Sequence, residues 1–273
     1  MTLEAKAVLE IVGRTTRAKD FSNPSPTIRR SCPNSVMLGD AVKFETSFAE
    51  VIQRTHNVKS FRFPRPPSFS YKAGQFMFVA VKGGQELLKK PFSISSSPTE
   101  PEFIEFTKKL TDHPFSIALM NTKVGEWASL DGPYGSFTFE GEFEDVGMLS
   151  GGVGITPLRS ICKYCTDTFS KAKITLIYGN RTEEDIVFHK ELQEMQRQNK
   201  NLKVVFTVDD ARPGWNGKIG VIDEAMIKNE MPNYLKTVFY VCGPPAMVVA
   251  ILELLGKLGI PRSQVKVESF QGY

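Results

Sequence analysis

The fold class of this chain is indicated by the stretch Val146-Gly147-Met148-Leu149-Ser150-Gly151-Gly152-Val153-Gly154-Ile155-Thr156-Pro157. A short apolar run typical of a buried strand ends in a cluster of glycines, and a helical pattern follows it. Thr156 suits the N-cap of this helix, and Pro157 suits its first position, where a missing N–H is tolerated. Glycines between a strand and a helix let backbone N–H groups approach a phosphate at the positive end of the helix dipole. The stretch therefore favours a pyrophosphate-binding turn over a turn whose glycines serve packing alone.

Downstream of this turn, apolar runs typical of buried strands alternate with helical patterns. The further strands are expected at residues 174–178, 204–208, 238–242 and 265–267. Helices with one buried face each are expected, from apolar residues at helical spacing, in residues 158–165, 188–195 and 247–258. This alternation predicts a doubly wound parallel sheet that binds ligands outside the carboxyl ends of its strands.

Upstream of the turn, short strand patterns are separated by frequent turn residues. The strands are expected at residues 44–53, 58–63, 75–81, 91–95, 103–109, 125–130 and 137–139. Many short strands at this spacing predict a small antiparallel barrel. The expected fold class is therefore two-domain β + α/β, with an antiparallel β-barrel followed by a doubly wound parallel-sheet domain. The expected boundaries are residues 1–42 for a flexible N-terminal extension, 43–143 for the barrel and 144–273 for the α/β domain.

The charge and the hydropathy of the chain exclude several classes of function. The 273 residues include 34 Lys and Arg against 30 Asp and Glu, which gives a net charge of +4. This excess is too small to favour nucleic acid, and no basic run with interleaved aromatic residues occurs. No apolar stretch approaches the length of a membrane span. The sequence therefore predicts no nucleic acid partner and no transmembrane segment.

The cysteines and the N-terminal residues bear on the compartment. Residues 14–34 are basic, contain serine and are poor in acids, as in an organelle transit segment, but Glu4 and Glu10 count against that interpretation. A mobile tail and a cytoplasmic location are therefore favoured over import into an organelle. The cysteines are too few and too scattered for a disulfide scaffold, which favours a reducing compartment: Cys32, Cys162, Cys165 and Cys242.

Four motifs follow one another along the chain: Lys90-Pro91-Phe92-Ser93, Gly132-Pro133-Tyr134-Gly135, the glycine turn already quoted, and Cys242-Gly243-Pro244-Pro245-Ala246-Met247. In this order and spacing they resemble the ferredoxin–NADP reductase superfamily, the flavoprotein pyridine-nucleotide reductases, over residues 43–270. The resemblance implies a flavin-binding barrel followed by an NAD(P)-binding domain. It also implies an enzyme that passes a hydride from NAD(P)H to flavin and then electrons to an acceptor.

On the flavin side, the resemblance implies that Lys90 binds phosphate, Phe92 packs by the ring and ribose, and Ser93 lies near flavin N5. The family pattern has Arg and Tyr at the first two places. Lysine keeps the charge without the bidentate fork, and phenylalanine keeps the stacking face without the hydroxyl. FAD is the predicted cofactor, and FMN is the alternative. Further flavin contacts are implied for Pro91, Phe106, Thr107, Lys108, Ser116 and Phe270.

On the nicotinamide side, the resemblance implies that Ser93, Cys242 and Glu268 are the catalytic residues. The alternative is that Cys242 acts only as a small, buried apolar residue of the core. At the ribose, Arg181 suits a 2′-phosphate, while no acid directly ends the preceding strand, so NADH and NADPH both remain candidates. The implied nucleotide contacts are Gly151, Gly152, Gly154, Ile155, Thr156, Pro157, Gly179, Asn180, Arg181, Cys242, Gly243, Pro244 and Met247.

Other chemistry is not favoured by the sequence. Cys162 and Cys165 share the apolar face of one helix, which favours core packing over a metal site, and no metal site is predicted. The chain lacks an iron–sulfur segment with four cysteines, so the expected acceptor is a separate ferredoxin, cytochrome or oxygenase component. The alternatives are a reductase of free flavin or of a small molecule, and a non-catalytic regulatory or assembly subunit that retains the fold.

Overall fold

The computed structural model describes residues 41–269, so Phe270 and most of the expected N-terminal extension lie outside the described residues. In chain order, the strands and helices are β1 (Val42–Ser47), β2 (Glu50–Thr55), β3 (Val58–Pro64), β4 (Phe76–Gly83), β5 (Glu86–Ser93), β6 (Phe103–Lys109), α1 (Pro114–Asn121), β7 (Trp127–Tyr134), β8 (Asp145–Gly151), α2 (Ile155–Asp167), β9 (Lys173–Asn180), α3 (His189–Gln198), β10 (Leu202–Val208), β11 (Lys218–Ile219), α4 (Glu224–Glu230), β12 (Val238–Gly243), α5 (Pro245–Lys257) and β13 (Val265–Ser269).

The first part of the described chain forms two antiparallel sheets. Their strand orders are β1-β7-β4-β5 and β2-β3-β6, and an isolated bridge between Ile94 and Phe106 joins them beyond the end of β5. Between the sheets lies an aromatic core, in which the ring of Phe106 stacks on those of Phe61 and Phe63 with centroids 5.0 and 5.9 Å apart. The predicted antiparallel β part of the fold is confirmed.

The single strand predicted at residues 44–53 is wrong, because β1 and β2 occupy this region and belong to different sheets. They are separated at Phe48, whose side chain is buried in the barrel core. The N–H of Phe48 donates to the carbonyl of Glu126, and the next N–H donates to the carbonyl of Arg62 in the other sheet. The chain therefore turns a corner at an apolar residue, where no turn residue indicates it.

Other predicted elements also differ from the structure. Residues 137–139 form no strand; Phe137 and Phe139 instead make edge-on ring contacts with Tyr240, with centroids 5.2 and 6.2 Å apart. The sequence pattern does not indicate helix α1, because Ile117 and Met120 are apolar but exposed and blur the apolar face formed by Phe115 and Leu119. β5 begins at Glu86 rather than at residue 91, because its first half pairs with β4 while remaining largely exposed.

The second part is a parallel sheet with the strand order β11-β10-β9-β8-β12-β13. Apolar residues of α2 and α3 cover one face of this sheet, and those of α4 and α5 cover the other. The prediction of a doubly wound sheet is confirmed. The strand order reverses at β8, which pairs with β9 on one side and with β12 on the other. The carboxyl ends of β8 and β12 therefore flank the crevice in which sheets of this kind bind ligands.

Residues 41–269 belong to one compact unit, so contacts between the barrel and the parallel-sheet part belong to the fold itself. The predicted boundary between residues 143 and 144 falls between β7 and β8 and stays a prediction. No helix within residues 41–269 is long and apolar enough to cross a bilayer.

Candidate active site

The glycine turn follows β8 and leads into α2. Gly152–Gly154 form a short 3-10 turn, and α2 begins directly after it with Gly154 as its N-cap. The predicted N-cap role of Thr156 is therefore wrong. Thr156 lies in the first turn of α2, where its buried hydroxyl donates to the carbonyl of Val153 over 3.2 Å. Pro157 is the third residue of the helix instead of the first, because the 3-10 turn starts helical geometry earlier than the sequence pattern indicates.

Gly152 and Gly154 suit this turn for two different structural reasons. Gly152 has a φ of +54°, in the left-handed region, and nothing lies within 4 Å of the position that a Cβ would take. At Gly154, a Cβ would lie 2.5 Å from both the carbonyl oxygen of Cys242 and the Cα of Gly243. The turn is thus packed against the end of β12 at Gly154 and open at Gly152, an arrangement suited to a backbone that binds phosphate.

A cavity of about 600 Å³ lies beside this turn. In its wall Asn180 is only 8% exposed, and neither its Nδ2 nor its Oδ1 has a hydrogen-bond partner among the described residues. Because buried amides are rarely left unpaired, this side chain suits a polar ligand in the cavity. The predicted nucleotide contacts that line the cavity are Gly151, Gly152, Gly179, Asn180, Arg181, Pro244 and Met247. Those that lie outside its lining are Gly154, Ile155, Thr156, Pro157, Cys242 and Gly243.

Sequence reasoning missed other residues that line the same cavity. Asp209 directly follows β10, and its N–H donates to the carbonyl of Asn180 over 3.1 Å; it lines the cavity together with Arg181. The available signal was an acid placed directly after a predicted strand. The barrel also forms part of the wall, through the turn between β2 and β3 and the last residue of β6. The missed polar and charged residues are His56, Asn57, Lys109, Asp185 and Asp209.

The carboxyl ends of β12 and β13 bring Cys242 and Glu268 together with Ser93 of the barrel. Cys242 and Glu268 are partners in the parallel pairing of the two strands, and the hydroxyl of Ser93 donates to Oε2 of Glu268 over 3.4 Å. Burial raises the pKa of Glu268 to about 7, against a smaller lowering by the Ser93 hydrogen bond. Burial, and then the charge of Glu268, raises the pKa of the Cys242 thiol well above its ordinary value. The thiol is therefore neutral at physiological pH.

The residues predicted to contact flavin differ in their exposure. Lys90 and Pro91 are exposed, whereas the ammonium group of Lys89 is paired with Asp131 at 2.7 Å. Phe92 is half-buried and packs against the aromatic core of the barrel, to which Phe106 belongs. Lys90 has no ion-pair partner among residues 41–269, so its exposed ammonium group suits a phosphate, and the ring of Phe92 supplies apolar surface nearby.

The remaining predicted flavin contacts are buried. Thr107 is hydrogen-bonded through its hydroxyl inside the barrel. The pKa of Lys108 is lowered, first by burial and then by the positive charge of Lys90. Ser116 lies near the start of α1, and its hydroxyl is 3.2 Å from that of Thr111. Phe106 and Thr107 therefore present no exposed side chain to a ligand in this structure, and their predicted contacts stay predictions.

Two family models match the chain, one on each side of residue 144. The model described as oxidoreductase FAD-binding domain matches residues 45–139, and the model described as oxidoreductase NAD-binding domain matches residues 148–253. NADH-cytochrome b5 reductase 1 of Dictyostelium discoideum is 31% identical over 217 residues, which cover 77% of this chain and 76% of that protein. The chain belongs to the ferredoxin–NADP reductase superfamily.

Further similarities agree with membership of this superfamily. The glycine betaine monooxygenase reductase subunit of Chromohalobacter salexigens is 32% identical over 229 residues, which cover 81% of this chain but 62% of that protein. The solved structure of a ferredoxin reductase in carbazole 1,9a-dioxygenase is 26% identical, with a TM-score of 0.71, and covers 84% of this chain and 70% of that one. The predicted FAD-binding and NAD-binding domains and the predicted class, an NAD(P)H-dependent flavoprotein oxidoreductase, are confirmed.

Cysteine and histidine side chains are not arranged for metal chemistry in the part of the chain that the structure describes. No group of three or more His, Cys, Asp or Glu side chains within residues 41–269 is placed to hold a metal ion. Cys162 and Cys165 are both fully buried in the apolar core between α2 and the sheet. Their position is that of core-packing residues.

The raised pKa of Glu268 predicts that stability falls as the pH rises. The folded protein retains the Glu268 proton up to about pH 7, whereas the unfolded chain releases it near the ordinary value of 4.5. In this window the folded state binds more protons, so the free energy of unfolding decreases with pH, by up to about 3 kcal/mol. Glu268→Gln removes the titration. Urea unfolding at pH 5 and pH 8 should therefore show a smaller decrease for this variant than for the wild type.

The matched control is Glu253→Gln, since Glu253 is exposed on α5. This variant should show the same decrease between pH 5 and pH 8 as the wild type. An equal decrease in the wild type and in Glu268→Gln would contradict the prediction.

Proposed function

We propose that this protein takes a hydride from NADH onto bound FAD and passes the electrons to a separate acceptor protein. The observation that carries the proposal is the convergence of Ser93 with Cys242 and Glu268 where the parallel strands end against the barrel. Relatives are named as cytochrome b5 reductases and as reductase components of monooxygenases. These names support a cytochrome or an oxygenase component as the acceptor, with a ferredoxin as the further candidate.

The cavity beside the glycine turn fits a dinucleotide. Its volume is in the range of small-molecule sites, and the open backbone at Gly152 stands at the N-terminus of α2, where an anion is stabilised. The unpaired amide of Asn180 supplies donors and an acceptor to the ligand. Lys109 and Arg181 add positive charge to the wall. We therefore assign the pyrophosphate to the turn and the adenosine ribose to the region around Asn180.

In the barrel, we assign Lys90 to the flavin phosphate. It is exposed on β5, and the charge of its neighbour Lys89 is already compensated by Asp131. Phe92 provides apolar surface beside that position. Because lysine binds phosphate as a point charge without the fork of arginine, flavin affinity should be more sensitive to salt than in relatives that carry the Arg-x-Tyr pattern.

FAD, when bound, supplies the redox chemistry, since its ring accepts a hydride and releases electrons to the acceptor. The side chains at the junction orient the two rings. The thiol of Cys242 is neutral and buried where β12 ends beside Glu268, and the hydrogen bond from Ser93 to Glu268 ties the barrel to the last strand of the sheet. The Glu268 carboxyl group, whose pKa is about 7, holds a proton in part of the molecules near that pH. Hydride transfer needs no general base, so these residues act by positioning and by tuning charge.

The position of Asp209 supports NADH as the preferred nucleotide. Asp209 lines the cavity together with Asn180 and Arg181, where the adenosine ribose is assigned. A carboxylate at this place accepts hydrogen bonds from ribose hydroxyls, as in other dinucleotide-binding sheets, and repels a 2′-phosphate. Arg181 has the opposite effect on a 2′-phosphate, so the balance between the two charges sets the preference.

Asp209→Asn is expected to raise kcat/KM for NADPH relative to NADH about tenfold, because it removes a repulsion of roughly 1 to 2 kcal/mol from the 2′-phosphate. Steady-state kinetics with both nucleotides measures this ratio. Asp210→Asn is the matched control, since Asp210 is the exposed next residue and lies outside the cavity lining. An unchanged ratio in Asp209→Asn would place the ribose elsewhere.

The proposed function is tested with the purified wild-type protein. Flavin should be bound after purification or after addition of FAD at micromolar concentration, and NADH should bleach its absorbance under anaerobic conditions. A protein that binds no flavin would be a subunit that retains the fold without turnover. A protein that releases reduced flavin, and reduces no cytochrome or ferredoxin, would be a reductase of free flavin. Either result would overturn the proposal.

The cysteines support a proposed compartment. Cys162, Cys165 and Cys242 are free thiols. Because free buried thiols are the norm in reducing compartments, we propose that the protein acts in the cytoplasm.

A further inference from the structure

A partly buried cluster of charged side chains joins the barrel to the helices of the parallel-sheet part. We call it the Arg159 cluster, and its members are Arg54, Glu100, Glu105, Arg159 and Glu191. Arg159 lies on α2 and Glu191 on α3, whereas the other members lie in the barrel. None of the sequence motifs includes these residues, and neither the FAD site nor the NAD site as assigned above uses them.

Arg159 uses each of its five N–H donors. Its Nε and Nη2 donate to Oε2 of Glu191 over 3.1 and 2.8 Å. Its Nη1 and Nη2 donate to the two carboxylate oxygens of Glu100, and Nη1 also donates to the carbonyl of Ser95 over 3.1 Å. The side chain is 4% exposed. Two donated hydrogen bonds go to each carboxylate and one goes to the carbonyl, so all five donors are paired. The position of the guanidinium group is therefore fixed by both carboxylates.

Arg54 makes the corresponding connection from the barrel. Its Nη1 donates to Glu191 over 2.6 Å, and its Nη2 donates to the fully buried Glu105 over 2.9 Å. Burial alone would raise the pKa of Glu191, but the positive charges of Arg159 and Arg54 hold it below its ordinary value. The carboxylate of Glu191 is therefore shared as an anion between the two arginines, one from each part of the fold.

The Arg159 cluster lies close along the chain to both assigned sites. Arg159 is on the helix that starts directly after the glycine turn, less than two turns from Gly154. The carbonyl that it binds belongs to Ser95, two residues after Ser93. On the same helix, Ser160 donates to the carbonyl of Ser96 over 2.5 Å. A short connection thus runs from the glycine turn, through Arg159 and Ser95, to Ser93 in the barrel.

We propose that Arg159 is a positioning residue for hydride transfer, which fixes the glycine turn relative to Ser93 through its shared contacts with Glu100, Glu191 and Ser95. The inference rests on the proposed function, because it concerns the alignment of the two cofactors that the two parts hold. The turn and Ser93 belong to different parts of the fold, and their relative position depends on contacts such as these.

The alternative is that the Arg159 cluster only stabilises the fold. Buried ion pairs are weak contributors to stability, because desolvation offsets most of the attraction, and apolar residues of similar volume often replace them without loss. Their directional hydrogen bonds, by contrast, select one arrangement of the packed surfaces. A positioning role therefore predicts a change in the rate of the hydride step in protein that is still folded and still binds both cofactors.

The test is Arg159→Lys, which keeps the buried positive charge but cannot donate to two carboxylates and a carbonyl in a fork. Stopped-flow reduction by saturating NADH should be at least tenfold slower than in the wild type, because small misalignments of reacting groups cost up to about a hundredfold. The dissociation constant of NADH and the flavin content should change less than threefold. Arg197→Lys is the matched control, since Arg197 is exposed on α3 and pairs with Glu194. This control should reduce flavin at the wild-type rate.

A second measurement does not require bound cofactor. In the cofactor-free protein, backbone hydrogen exchange over residues 93–100 should be faster in Arg159→Lys than in Arg197→Lys. If Arg159→Lys fails to fold, Glu191→Gln takes its place, because it replaces one acceptor oxygen by N–H groups that face an arginine. Exchange and reduction rates that both equal those of the control would overturn the inference. If the wild type itself is not reduced by NADH, the proposed function fails, while the exchange measurement still tests the position of Arg159.

Discussion

Cys242→Ala is expected to slow the reduction of bound flavin by NADH by about tenfold to a thousandfold while leaving flavin bound. Cys242 ends β12 beside Glu268, and Ser93 of the barrel reaches the same point. The thiol is neutral and fully buried, so its removal leaves a void at the ends of β12 and β13, where the nicotinamide is proposed to lie, without removing a charge. A ring that is less well confined spends less time in the aligned position. Anaerobic stopped-flow absorbance at saturating NADH measures the rate directly.

Flavin content should not change in Cys242→Ala, because Cys242 lies in the parallel-sheet part and the predicted flavin contacts described by the structure lie in the barrel. Cys165→Ala is the matched control, since it removes an equally buried thiol from the core beneath α2. The control should lose some stability and keep the wild-type rate of reduction. A wild-type rate in Cys242→Ala would make Cys242 a packing residue, and a loss of flavin would show that the site is placed wrongly.

Gly154→Ala is expected to lower kcat/KM for NADH by at least about a hundredfold. The added Cβ would lie 2.5 Å from the Cys242 carbonyl oxygen and from the Cα of Gly243, and 2.7 Å from the Gly243 nitrogen. All three atoms belong to the backbone, so the glycine turn and the end of β12 must move apart. That movement displaces the pyrophosphate turn and the Cys242 side chain together, which affects nucleotide binding as well as the hydride step. Steady-state kinetics and NADH titration separate the two effects.

Gly256→Ala is the matched control for this substitution. Gly256 lies in α5 with nothing within 4 Å of a Cβ, and alanine is favoured over glycine inside a helix by up to about 1 kcal/mol. This variant should be as active as the wild type and slightly more stable in thermal unfolding. Gly154→Ala with wild-type kinetics would mean that the close approach of the turn to β12 has no part in nucleotide binding.

The fold class could be predicted from the sequence because its signals are local. The strand, glycines and helix around residues 146–157 are adjacent in the chain, and the change from short strand patterns to alternating strands and helices occurs at the same place. The bounds of the helices and strands were harder to predict from the sequence. The corner at Phe48 and the start of α2 depend on hydrogen bonds with distant residues or on a 3-10 turn, and neither leaves a mark in residue type.

The candidate site could be predicted only where its residues belong to motifs. Asp209 carried a local signal, because it directly follows a strand, but its relation to Asn180 depends on the pairing of β9 with β10. The Arg159 cluster carried no signal at all. Arg54 and Glu191 are 137 residues apart in the chain, and Glu100 and Arg159 are 59 residues apart, so only the folded arrangement of the two parts shows which charges meet.

The barrel residues in the wall of the nucleotide cavity link ligand binding to the mechanics of the whole chain. His56, Asn57 and Lys109 come from the barrel, whereas the glycine turn comes from the parallel-sheet part. A dinucleotide in this cavity therefore touches both parts at once and acts as a reversible cross-link between them. At a concentration a hundredfold above its dissociation constant, such a ligand adds about 2.7 kcal/mol to the stability of the joined arrangement. By the same linkage, any change that lets the two parts separate must weaken nucleotide binding, even when it lies far from the cavity.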